Sequence, residues 1–333
     1  MVERTDNPKN IAFLVSSFWG VAWYRCHVPG VELKRRGHNV VMTDRLEDID
    51  VDACDIFVAL RQQVPKVLEV VQYLNAMGRM TVADIDDDYW NLAPDNPARL
   101  SWNPEMLERL ADIARACQVA TTTTPELAEI LRRINPATTI LPNMLPDEHW
   151  AIEPKDSAQS DRLVLGWGGS TSHRSDVRMV GPVLVQLLDE FPELELHLAG
   201  AEPDWVPAHP RIRFVDTVPI EQYAHVLQDF DIAVAPLVDT RFNRCKSDLK
   251  YMEYAMLGLP VVASAVEPYT RTIRHGENGF LVKNTKGWLK SLRALIRDAE
   301  LRHSIGSAGR VLAETRLMSR NIERWEKVYR IEP

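Results

Sequence analysis

Lys246, Ser247, Lys250 and Glu253 are polar residues near the start and along one side of a helix, which Gly258-Leu259-Pro260 stops before the short apolar strand Pro260 to Ser264. A helix opening in Lys and Ser suits an anion, because its first N–H groups lack intrahelical partners and its dipole favours negative charge. A diphosphate at the Lys246 end, with hydroxyls meeting Glu253 two turns on, is the layout of a sugar-nucleotide site. The same residues also fit a capped amphipathic helix packed on a sheet.

Two other stretches carry chemistry-bearing residues. Gly168-Gly169-Ser170-Thr171-Ser172-His173-Arg174 is a small-residue loop between a strand and a helix. Backbone amides at Gly168 and Gly169, with the Arg174 guanidinium beside them, would hold phosphate oxygens; a plain turn capped by Ser175 or Asp176 is the alternative. Asp84-Ile85-Asp86-Asp87-Asp88 places four carboxylates in five residues at the end of a strand. Three readings fit it: a divalent-metal site, a group that positions an acceptor hydroxyl, or a solvated loop.

These segments need a scaffold, and the apolar pattern supplies one. Ile11 to Ser16 is continuously apolar, as in a strand buried on both faces. After Ser17-Phe18-Trp19-Gly20, the apolar spacing predicts a helix from Val21 to Arg36, ended by Gly37 before the strand Asn39 to Thr43. One Gly20 does not make a G-x-G-x-x-G fingerprint, so a dinucleotide site does not follow. Strands continue at Asp55 to Leu60, Met80 to Ile85, Gln118 to Thr122 and Thr138 to Leu141. Helices alternate with them at Pro65 to Met77, Met106 to Cys117 and Pro125 to Ile134.

Pro146 to Asp161 is polar and aperiodic, which marks a linker. A second alternating series follows, with strands at Leu163 to Trp167, Leu194 to Ala199, Ile212 to Val215, Ile232 to Pro236 and Pro260 to Ser264. The helices of this half are expected at Val177 to Phe191 and near Glu221 to Gln228. The turn His275 to Gly279 feeds a further strand, and helices near Lys286 to Asp298, Leu301 to Thr315 and Ser319 to Tyr329 close the chain. The expected fold class is therefore α/β, with two Rossmann-like parallel sheets.

The totals agree with that division, because 333 residues exceed a usual single domain. Residues 1–150 hold 15 Lys and Arg against 22 Asp and Glu, whereas residues 151–333 hold 24 against 25. An acidic first half disfavours non-specific nucleic-acid binding, and the better-balanced second half suits a small anionic ligand. Cys26, Cys54, Cys117 and Cys245 are scattered without a C-x-x-C pair, as expected of free thiols in a reducing cytoplasm. The polar N-terminus and the lack of any span-length apolar run predict a soluble, cytoplasmic protein with no integral membrane segment.

Taken together, the motifs resemble the retaining glycosyltransferases of the GT-B fold, family 4 (glycosyl transferases group 1). Glu253-Tyr-Ala-Met-Leu-Gly258-Leu-Pro260-Val-Val is similar to that family's E-A-M-A-x-G-x-P-V-V block, and His275-Gly276-Glu277-Asn278-Gly279-Phe280-Leu281-Val282 to its H-G-x-N-G-x-L-V turn. Gly37-His38-Asn39-Val40 and Leu141-Pro142-Asn143 are weaker matches. The resemblance spans residues 10 to 330 and implies an acceptor-binding domain over 1–150, a nucleotide-sugar-binding domain over 160–315, and a last segment, 316–333, that crosses back to the first. The implied donor is a nucleotide-diphosphate sugar. The implied acceptor bears a hydroxyl: a glycan, a lipid-linked sugar, a small molecule or a modified base.

Residue by residue, the resemblance puts Glu253 on the ribose hydroxyls and Gly20 in a loop that approaches the phosphates, with Arg25 nearby. Arg174 and Lys246 or Lys250 fall to the diphosphate, and the Asp84–Asp88 cluster, Asp86 included, to the acceptor or sugar side. The family's first glutamate is Cys245 here, so Asp248 or another acid would have to take its role. Arg174, Lys246 and the helix start at Ser247 would stabilise the departing diphosphate by preorganised charge, which needs no cofactor and no metal. A metal held by Asp84 and Asp86, and a non-catalytic sugar-nucleotide or glycan-binding module, are the rival expectations.

Overall fold

The computed structural model describes residues 5–92, 96–150, 152 and 162–331. Strands β1 (Asn10–Leu14), β2 (Asn39–Thr43), β3 (Ile56–Leu60), β4 (Met80–Asp84), β5 (Val119–Thr122) and β6 (Thr138–Ile140) form one sheet, in the order β2-β1-β3-β4-β5-β6. β7 (Leu163–Gly168), β8 (Leu194–Ala199), β9 (Ile212–Val215), β10 (Ile232–Ala235), β11 (Val261–Ser264) and β12 (Phe280–Val282) form a second, in the order β12-β11-β10-β7-β8-β9. Neighbouring strands are parallel throughout, for instance Leu14 beside Ala59 and Leu165 beside Ile232. The expected doubly wound α/β class is what the chain adopts.

Continuous apolar runs explain the central strands. In β3, Ile-Phe-Val-Ala-Leu, every residue is buried, and each large side chain there stabilises the fold by roughly 1.5–3 kcal/mol. Edge strand β2 instead alternates between exposed and covered positions. In each sheet the strand order reverses direction next to its first strand, at β1/β3 and at β7/β10. Such switch points open crevices at the carboxyl ends of the strands, where α/β folds bind ligands.

The helix after β1 is not uniform. Trp23–His27 is a π-turn that continues into the α-helix Val28–Arg35, and the Val28 N–H bonds to the Trp23 carbonyl. Pro29 has no N–H to give to Arg25 in the ordinary α pattern, so one residue is accommodated by widening the turn. Tyr24 and Arg25 both lie in this turn.

The C-terminal segment packs on the first sheet. Trp325 and Tyr329 are buried, Tyr329 lies against Phe13 with ring centroids 6.4 Å apart, and Arg36 pairs with Glu326 at 3.1 Å. A backbone bridge joins Leu145 to Leu317. Of the linker expected over Pro146 to Asp161, residues 151 and 153–161 lie outside the described residues; Trp150 is buried. Among the described residues no helix is long and apolar enough to cross a membrane, and Cys26, Cys54, Cys117 and Cys245 are free and buried.

Candidate functional site

A cleft of about 470 Å³ is lined from both sheets. The first half contributes Trp19, Gly20, Tyr24, Arg25, Asp86 and Asp87. The second contributes, among others, Gly169, His173, Lys246, Ser247, Lys250 and Glu253. These groups leave the loops after β1, β4 and β7 and the segment after β10, so both switch-point crevices open into one space.

The chain around Lys246 folds as two short helices rather than one. Thr240 caps Arg241–Arg244, its side chain accepting the Asn243 N–H, and the next helix runs Leu249–Met256 after Asp248. Lys246 and Ser247 therefore precede the helix expected to begin with them, and Lys250 and Glu253 lie on it. Nζ of Lys246 sits 3.8 Å from Asp87 Oδ2 and 4.6 Å from the centre of the Phe242 ring. Ser247 accepts a hydrogen bond from the Asn143 amide at 3.1 Å, which ties it to the first half.

Lys250 lies under the glycine loop. Its Nζ donates to the Gly168 carbonyl and stands 5.0 Å from the centre of the Trp167 ring. A Cβ at Gly169 would come within 2.7 Å of that Nζ and 2.6 Å of Trp167, so only glycine lets the ammonium approach. Burial lowers the Lys250 pKa to about 8, Glu253 opposing the shift and Lys246 adding to it. Burial also raises Glu253 to about 7, against the pull of Lys250 and of the Tyr24 hydroxyl. That hydroxyl donates to Glu253 Oε1 at 2.6 Å and so spans the cleft.

His173 lines the same wall, with Nδ1 2.8 Å from Asp176 Oδ2. Burial and the nearby Lys246 lower its pKa to about 4. The imidazole is thus neutral at physiological pH, and donation from Nδ1 to Asp176 leaves Nε2 as an acceptor.

Opposite, Asp84 forms a buried ion pair with Arg25, with contacts of 2.9 and 2.6 Å, and accepts from Thr121 at 2.6 Å. The Arg25 guanidinium also reaches the Leu141 carbonyl and Asn143. This pair is fully used inside the fold. Asp86 faces the cleft and accepts from Tyr89 at 2.9 Å; burial pushes its carboxyl up to about 6 despite Arg61, whose Nε lies 3.8 Å away. Asp88 turns inward to Asn91. Among the described residues no group of three or more His, Cys, Asp or Glu converges to hold a metal, because these four neighbouring carboxylates point to different partners.

Of the residues singled out in the sequence, Gly20, Asp86, Gly169, Lys246, Ser247, Lys250 and Glu253 line the cleft. Arg174, Gly168 and the phosphate role of the two glycine amides need correction. Arg174 is outside the lining, because its guanidinium is drawn to Asp204 beside Arg178, and its side chain is 40% exposed. Gly168 is outside it as well. Its N–H bonds to the Tyr254 hydroxyl at 2.8 Å, and the Gly169 N–H bonds to the Ala199 carbonyl at 3.0 Å, so neither amide is available to a phosphate.

Cys245 and Asp248 also behave differently from a sugar-binding acid. The Cys245 thiol is buried in the core of the first half, and its carbonyl accepts from Thr124 at 2.9 Å. Asp248 is held by Arg316 at 2.8 Å and Thr272 at 2.7 Å. The sequence alone assigns no role to Tyr24 or His173, and it singles out Asp87 only as part of its acidic cluster. His173 stood in the quoted glycine loop, whereas nothing local pairs Tyr24 with a glutamate 229 residues away.

Comparison with known proteins agrees with this geometry. Residues 162–298 match the family model described as "Glycosyl transferases group 1". Among solved structures, sucrose-phosphate synthase from Thermosynechococcus elongatus is similar with a TM-score of 0.71 at 16% identity, covering 97% of this chain and 98% of that one. Anabaena HepE, solved with UDP and glucose, gives 0.66 at 15% identity over 96% and 98%. Staphylococcus aureus TarM, solved with Fondaparinux, alpha-GlcNAc-glycerol and UDP, gives 0.62 at 13% over 82% of this chain and 55% of that one. Comparison with curated protein sequences gives no match. Residues 162–298 thus match the model of group 1 glycosyl transferases, and the whole chain shares the GT-B fold of the glycosyltransferases it resembles.

Proposed function

We propose that the protein transfers a sugar from a nucleoside-diphosphate sugar to a hydroxyl acceptor, with retention of anomeric configuration and without a metal ion. The observation that carries this is the meeting of Lys246, Ser247, Lys250 and Glu253 with the Gly20 loop in one cleft. Two lysines face the charge of a diphosphate. Glu253, an acceptor-only carboxylate when ionised, suits ribose hydroxyls once the Tyr24 hydroxyl gives way.

In the reaction the bond from the anomeric carbon to the leaving phosphate oxygen breaks, and a bond to the acceptor oxygen forms. The acceptor's proton passes to the leaving phosphate. Negative charge grows on that phosphate, and Lys246 and Lys250 stabilise it by preorganised electrostatics, about 3–4 kcal/mol for a well-placed donor. The two ammonium groups supply the charge that a metal would otherwise bring. The UDP bound in the HepE and TarM structures makes UDP-sugars the first donors to try.

A panel of nucleotide sugars, read by thermal stabilisation and by slow donor hydrolysis in the presence of chelator, tests this reading. Stabilisation by one donor and chelator-resistant turnover are expected. Activity abolished by chelator and restored by a divalent ion would remove metal independence, and a β-anomer product from an α-linked donor would remove retention. The buried Cys245 favours a second reading, a non-catalytic sugar-nucleotide-binding module. That reading predicts stabilisation by the donor with no turnover on any acceptor.

A further inference from the structure

The first-half lip of the cleft has a composition of its own. Trp19 lines it with 63% of its surface exposed, beside Phe18 at 43%. A large aromatic ring left this open at the edge of a cleft presents a flat face whose negative π-cloud attracts polarised C–H groups. Asp86 and Asp87 line the same cleft, and their carboxylates can accept hydrogen bonds from hydroxyls. Arg25 is committed to Asp84, Leu141 and Asn143, so among the described lining residues this lip offers carboxylates and an indole but no uncommitted cation.

Asp86 is also held in place. Tyr89 donates to it, the Arg61 guanidinium donates to the Tyr89 oxygen at 2.9 Å and to Ser16 at 3.3 Å, and Arg61 adopts a left-handed backbone with φ of 50°. A non-glycine residue in that region costs on the order of 1–3 kcal/mol and persists where its surroundings enforce it. The result is a fixed acceptor group at the carboxyl end of β4.

We propose that the acceptor is a neutral carbohydrate, its ring lying on the Trp19 indole and its hydroxyls donating to Asp86 and Asp87. This assignment rests on the nucleotide-sugar reading above and specifies its other substrate. An aromatic face and two carboxylates in one cleft match the two sides of a sugar ring, one of C–H groups and one of hydroxyls. A lipid-linked diphosphate or a phosphosugar would set its own negative charge against Asp86 and Asp87.

The test uses the full chain as wild type, Trp19→Ala and Trp19→Phe, with the donor that the stabilisation panel selects. Nucleotide release and product formation are followed against maltotriose, cellotriose and chitotriose, against glucose 6-phosphate, and against a lipid-linked diphosphate sugar in phosphatidylcholine vesicles. Transfer onto a neutral oligosaccharide is expected. Trp19→Ala should raise the acceptor KM at least tenfold while kcat changes less than threefold, and Trp19→Phe should restore KM to within about threefold of wild type.

Transfer confined to the phosphorylated or lipid-linked acceptors overturns the assignment, as does an acceptor KM in Trp19→Ala within twofold of wild type. Donor affinity measured by calorimetry separates the two levels. A wild type that binds a nucleotide sugar yet ignores all three neutral oligosaccharides overturns the acceptor assignment alone. A wild type that binds no nucleotide sugar overturns the parent reading and this one with it.

Discussion

The two walls of the cleft differ in charge. The second-half wall presents Lys246 and Lys250 with a neutral His173, the buried Glu253 and an exposed Asp216, whereas the first-half lip presents Asp86, Asp87 and an open indole. Both walls come from loops at the carboxyl ends of parallel strands, so topology alone does not distinguish them. What separates them is how each buried charge is partnered. Arg25, the first half's buried cation, is consumed by Asp84 in the core, while Lys250, which lines the cleft, bonds the Gly168 carbonyl and lies over the Trp167 ring. On this account the cationic wall takes the diphosphate and the acidic lip takes hydroxyls.

The largest effect should come from Glu253, the buried carboxylate on the cationic wall. Glu253→Ala is expected to lower kcat/KM for the donor about a hundredfold, near 3 kcal/mol of transition-state stabilisation, with far-UV circular dichroism unchanged. Retention of wild-type kinetics in this variant would mean that ribose is bound elsewhere. Next in size, Lys246→Ala should weaken UDP at least tenfold by calorimetry. Asp87→Asn sharpens the comparison, because removing the carboxylate 3.8 Å from Lys246 should tighten UDP severalfold. Weaker UDP binding in that variant would place Asp87 on the donor side.

A pH experiment probes the same wall. Glu253 moves from an ordinary 4.5 up to about 7 in the folded protein, so the folded state holds more protons between those values and stability falls as pH rises through that window. Lys250 moves from 10.5 down to about 8, so stability recovers as pH rises between about 8 and 10.5. Melting temperature should therefore show a shallow dip between pH 7 and 8 relative to Glu253→Gln, which lacks the acid-side fall. Parallel pH curves for wild type and variant would remove the burial argument. The smallest effect is expected at Arg174→Ala, with UDP affinity within twofold of wild type, because that guanidinium is exposed and tied to Asp204.

Much of the scaffold was legible in the sequence because its signals are local. Continuous apolar runs such as β3 identify strands buried on both faces, and Gly258-Leu259-Pro260 ends a helix through backbone restrictions that act within a few residues. The π-turn at Trp23–His27 escaped, since apolar spacing does not tell π from α over a single turn. The apolar spacing runs Lys246 and Ser247 into a helix that begins only after Asp248, because Thr240 starts a separate short helix that ends at Arg244. Arg174 differs from the sequence expectation for another reason. Its direction is set by Asp204, thirty residues on in another loop, and no rule of local spacing reports that. Glu253 was identified correctly as a cleft residue, but its bond to Tyr24 emerges only when the two sheets come together.

One measurement bears most directly on the division of the cleft: calorimetric titration of UDP into Lys246→Ala and Asp86→Asn, side by side with wild type. The account predicts at least tenfold weaker binding for Lys246→Ala and binding within twofold of wild type for Asp86→Asn. Unchanged affinity in Lys246→Ala, or an equal loss in both variants, would contradict it.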